Sequence, residues 1–97
     1  MKKFEQTTLS DGTLTARGPF QVDPGTEVKH LHFLVAQAGV LVEGEAFVSG
    51  DEWSGRAPAG DLQPGPAHGQ GLAIMLSSGS PPALETFTWL EPIDVSG

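Results

Sequence analysis

Three histidines, His30, His32 and His68, are the residues of this chain best suited to chemistry. His30 and His32 are two apart within an apolar, β-branched run. In an extended strand that spacing turns both imidazoles to one face. Two imidazoles on one strand face can occupy adjacent positions on a single Zn, Ni, Mn or Fe ion. Strand faces also carry His-x-His by chance, so the rest of the chain must be weighed. There is no cysteine, which excludes disulfides, thiolate metal sites and cysteine nucleophiles together.

The elements that must position these residues are short. Among 97 residues there are 13 Gly and 8 Pro, spread along the whole length, which leaves no window for a long capped helix. Between them lie runs rich in Val, Leu, Phe, Thr and Trp, the pattern of an all-β fold. Strands are predicted near Phe4–Leu9, Thr13–Ala16, Phe20–Val22, Glu27–Leu34, Gly39–Val42, Glu45–Val48, Leu72–Ser77 and Leu84–Trp89. Ser10-Asp11-Gly12 and Asp23-Pro24-Gly25 read as turns, because Gly takes positive φ freely and Pro presets its own. Glu43-Gly44 reads as a hairpin turn between Val40–Val42 and Ala46–Val48. Ser49 to Pro66 reads as loops around at most one short strand, Ser78 to Pro82 as a further turn, and Ser96-Gly97 as a frayed end. Trp53 and Trp89 are expected to pack inside. No linker divides the chain, so residues 1–97 are read as one domain.

Charge narrows the partners. Five Lys and Arg stand against 12 Asp and Glu, for a formal net charge of −7. So few cations cannot neutralise a run of phosphates, which argues against nucleic acid and anionic membranes. No apolar run approaches the roughly 18–20 residues of a membrane helix. The polar stretch Glu5-Gln6-Thr7-Thr8 follows the lysines where an export signal needs an apolar core, so a cytoplasmic location is expected.

Residues 24–69 resemble the two motifs of the cupin superfamily, as a small single-domain member. The first motif has a glycine, five residues, His-x-His, three or four residues, a glutamate, six residues and a glycine. This chain has Gly25, four residues, His30-x-His32, four residues, Gln37, six residues and Gly44. The second motif is matched by Gly65-x-x-His68. The chain departs from the family in one short spacer, in Gln37 for glutamate, and in Leu72 where the second motif ends in asparagine.

The resemblance implies a small antiparallel β-barrel or jelly roll. It also implies a divalent metal held by His30, His32, Gln37 and His68, with positions left open for a small molecule. With neutral Gln in place of Glu, the ion would favour non-redox isomerase or lyase chemistry on a sugar or small organic acid over dioxygenase chemistry. Arg56 is a candidate for binding a substrate carboxylate, and Glu85 a candidate acid–base group; both also read as ordinary surface residues. A non-catalytic ligand-binding or stress-accessory cupin is the first alternative, and an immunoglobulin-like sandwich the second. Cupins commonly pair, and the N-terminal run Phe4–Leu9 reads as a free strand able to join a neighbour's sheet, so a homodimer is expected.

Overall fold

The computed structural model describes residues 2–97. Seven strands form, β1 (Gln6–Ser10), β2 (Thr13–Pro19), β3 (Thr26–Gln37), β4 (Val40–Ser49), β5 (Glu52–Pro58), β6 (Gly65–Ser77) and β7 (Ala83–Val95). They make one antiparallel sheet in the order β1-β2-β5-β4-β3-β6-β7, curled into a half-barrel. β3, β4 and β5 follow one another by hairpins, while β2 lies beside β5 and β6 beside β3. These are Greek-key connections. At one end the two edges of the sheet meet: Leu9 N–H donates to Ser96 O at 2.7 Å, and Ser96 N–H to Thr7 O at 2.9 Å.

Two-residue turns set the register. Asp11-Gly12 joins β1 to β2 and Ala38-Gly39 joins β3 to β4, with positive φ at all four residues (52°, 75°, 45° and 82°). That is the geometry whose twist matches paired strands.

The curl comes from β4, which changes partner halfway along. Val40–Glu45 pairs with β3 and Ala46–Ser49 with β5. Gly44 and Gly55 flank this change. A Cβ on Gly55 would lie 2.6 Å from Glu45 O and 2.8 Å from Phe33 Cε1, so only glycine lets the strands approach this closely. Gly44 is therefore a mid-strand residue, and the predicted hairpin at Glu43-Gly44 is replaced by one continuous strand. The predicted strand Phe20–Val22 is also absent. Pro19 ends β2, and Phe20 instead buries its ring while its N–H donates to Asp51 O.

The inner face of the curl is filled. Trp53 is fully buried, with Phe4 edge-on at 5.0 Å between ring centres, Phe33 at 5.8 Å and Trp89 at 6.0 Å. Leu14, Val35, Ile93 and Val95 complete the cluster. Trp53 Nε1 donates to Lys3 O at 2.7 Å, whereas Trp89 Nε1 is buried without a partner among the described residues. Phe4 sits inside and Glu5 N–H bonds to Arg17 O, so the N-terminal run is part of this molecule's own sheet, not a free strand. Ser96, expected to fray, is held by its two backbone bonds. The 13-residue β6 and β7 overrun the other strands, which gives the molecule its 47 × 24 × 22 Å extents.

Two outcomes test this packing. Trp53→Phe strips Lys3 O of its donor, so it costs about 1 kcal/mol more stability than Trp89→Phe, read by urea denaturation. Ala38→Asn places a residue tolerant of positive φ in the turn and raises stability by about 0.5–1 kcal/mol, with a melting temperature roughly 2–8 °C higher.

Candidate functional site

On β3, alternation alone would put Val28, His30 and His32 on one face. A bulge intervenes: Val28 pairs with Met75 and His30 with Ile74, leaving Lys29 as the extra residue. Val28 thereby joins the inner face with Leu31, Phe33 and Val35. His30 and His32 stay on the outer face, His30 exposed and His32 half-buried.

The two rings lie edge to face with centres 5.0 Å apart, and His30 Nε2 is 2.8 Å from His32 Nδ1. One nitrogen of the pair donates and the other accepts. Glu45 is the cross-strand partner of His32, and Glu43 lies two residues along on the same face of β4. His30, His32, Glu43, Gly44 and Glu45 together line an open depression of about 350 Å³. The carboxylates stand beside the imidazoles without joining them at ligating distance: no group of three His, Asp or Glu among the described residues could hold an ion as placed.

The other expected site residues lie elsewhere. His68 is exposed on the same outer face of β6, opposite Ala36. His32 pairs with Leu72, four residues further along β6, so His68 is about 13 Å away along the strand. Gln37 has the inner-face parity of Phe33 and Val35, and its amide is engaged with backbone. Nε2 donates to Gln63 O at 2.9 Å and Pro66 O at 3.1 Å, and Oε1 accepts from Gln63 N–H at 2.9 Å. It pins the loop between β5 and β6 to the end of β3. Glu85 is exposed at the far end of β7, opposite Met75. Arg56 is exposed on β5 and shares a groove with Glu45, so it lies close to the histidine pair.

Sequence reasoning missed Glu43 and Glu45 as neighbours of the histidines. A turn placed at Glu43-Gly44 takes Glu43 off the sheet and breaks the register that pairs Glu45 with β3; a continuous β4 sets both carboxylates beside His32 on the same outer face. No family model, no curated protein and no solved structure matches this chain.

Gln37→Glu tests the clamp. A carboxylate facing two carbonyl oxygens loses both donated bonds, which costs about 1–3 kcal/mol in thermal denaturation. Metal content of the protein is expected to stay unchanged.

Proposed function

We propose that this chain is a small domain that binds a divalent transition-metal ion on the outer face of its sheet. His30 and His32 are the anchoring ligands, and a carboxylate from β4 completes the set. The observation that carries this reading is the 2.8 Å approach of the two ring nitrogens. Two imidazoles bound to one ion at about 2.0–2.1 Å stand roughly 3 Å apart, so the two nitrogens already have ligand spacing, and both rings turn their lone pairs toward the ion as the N–H between them is given up. Imidazole with carboxylate suits Zn, Ni, Mn or Fe, with Ni and Zn bound more tightly than Mn or Fe. Glu45, as the cross-strand partner of His32, is the nearer carboxylate in register. Two protein imidazoles and one carboxylate leave coordination positions free for water or a small anionic ligand.

The cupin arrangement, with Gln37 and His68 as further ligands, is the second reading. What favours it is that β3 and β6, which carry the two motifs, are hydrogen-bonded neighbours within Greek-key connections. It requires His68 to travel about 13 Å along the strand direction and Gln37 to release three hydrogen bonds. The outer-face reading leaves the strand register and the three hydrogen bonds of Gln37 as they are.

Titration of untagged protein with Zn²⁺, checked by elemental analysis, separates the two. On the outer-face reading, His30→Ala and His32→Ala weaken binding by about 100-fold or more, and Glu45→Gln by roughly tenfold. His68→Ala leaves affinity unchanged. Equal loss in His68→Ala and His32→Ala assigns the ion to the cupin set, and no zinc uptake by the parent protein refutes both. Binding weakens as the pH is lowered, because a protonated imidazole cannot coordinate.

A further inference from the structure

We propose that a groove beside the histidine pair, crossing β1, β2, β5 and β4, is a binding site for a small aromatic carboxylate. This goes beyond the metal reading and does not need the ion. The groove, about 470 Å³, lies between two rungs of cross-strand partners on the outer face. One rung runs Thr8, Thr15, Arg56; the next runs Gln6, Arg17, Ser54, Phe47. Both of the chain's arginines are therefore in it. Arg17 is already committed: its Nη1 lies 3.1 Å from Glu52 and 3.4 Å from Glu5, and its Nε donates to Gln6 Oε1 at 2.8 Å. Arg56 makes no ion pair and no side-chain hydrogen bond among the described residues, although the chain carries 12 carboxylates.

Phe47 supplies the second half of the recognition. It is the most exposed large hydrophobic residue among the described residues, at 71%. Its cross-strand partner is Ser54, and Arg56 is two residues further along the same strand and face, so Phe47 and Arg56 are diagonal neighbours about 7–8 Å apart. A planar ring resting on the Phe47 face brings a carboxylate attached to that ring within reach of the guanidinium fork. The Ser54 hydroxyl and the Gln6 amide border the same space and suit a ring hydroxyl. An aliphatic acid satisfies only the guanidinium, and a neutral aromatic only the ring. The class selected by both is an aromatic carboxylate, and a hydroxylated one fits the polar rim.

The probe is 4-hydroxybenzoate, added to the isotope-labelled protein in the presence of EDTA and followed by amide and Arg56 Nε–H shifts. Removing metal keeps failure of this site distinct from failure of the metal site. Shifts are expected at Thr15, Phe47, Ser54 and Arg56, with a Kd on the order of 1 mM for so open a groove. Acetate, which has the charge without the ring, binds at least about tenfold more weakly. Arg56→Gln weakens 4-hydroxybenzoate by about tenfold or more, and Phe47→Ala by roughly fivefold. Both side chains are exposed, so the amide spectra away from the groove stay unchanged. Arg56→Lys, which keeps the charge but loses the planar fork, still weakens binding. The proposal is overturned by equal affinity for acetate, by unchanged affinity in Arg56→Gln, or by shifts confined to other faces.

Discussion

The fully buried Trp53 indole is the contact around which the sheet bends. Its ring reaches Phe4 from the N-terminal segment, Phe33 from β3 and Trp89 from β7, so three distant stretches of chain share one neighbour. Phe20 and Phe87 extend the cluster through Trp89. A flat sheet could not present all of these rings to one another. The bend is permitted where Gly44 and Gly55 allow β4 and β5 to close up, and the aromatic cluster is what the bend encloses. With the inner face occupied in this way, polar chemistry is left to the outer face.

That division explains the placement of the candidate sites. The bulge at Lys29 separates Val28 from the histidines, giving one to the core and the others to solvent. β4 then presents Glu43 and Glu45 opposite β3, and Phe47 beyond the point where β4 leaves β3 for β5. Glu45 borders both the histidine depression and the arginine groove. One strand that changes partner thus brings two kinds of recognition chemistry side by side.

Much of the architecture was legible in local residue patterns. Asp11-Gly12 announced its hairpin because glycine chemistry at a tight turn is local, and the apolar run around the histidines marked a strand at Glu27–Leu34. What was not legible depended on partners far along the chain. Gly44 has the same local signature as a turn glycine; only the approach of β5 reveals it as a mid-strand contact. Phe20 sits in a run that looks extended, yet no strand lies beside it. The His-x-His spacing correctly implied a shared face, but spacing cannot say whether that face is lined or exposed. Gln37 matched a ligand position in the motif, whereas the loop it holds, with its donors and acceptors satisfied in one place, is visible only in three dimensions.

The meeting of the sheet edges has a consequence for how the chain reaches this state. Lys3 and Phe4 donate their backbone N–H groups to the Glu91 carboxylate, and Thr7 and Leu9 exchange bonds with Ser96, so these contacts span about nine-tenths of the chain. During synthesis the first strand emerges long before its closing partner exists. Phe4 and Trp53 must remain without a complete enclosure until residues 91–96 have left the ribosome. Closure of the sheet thus waits on contacts of very high sequence separation, the kind that slows the folding of non-local β topologies.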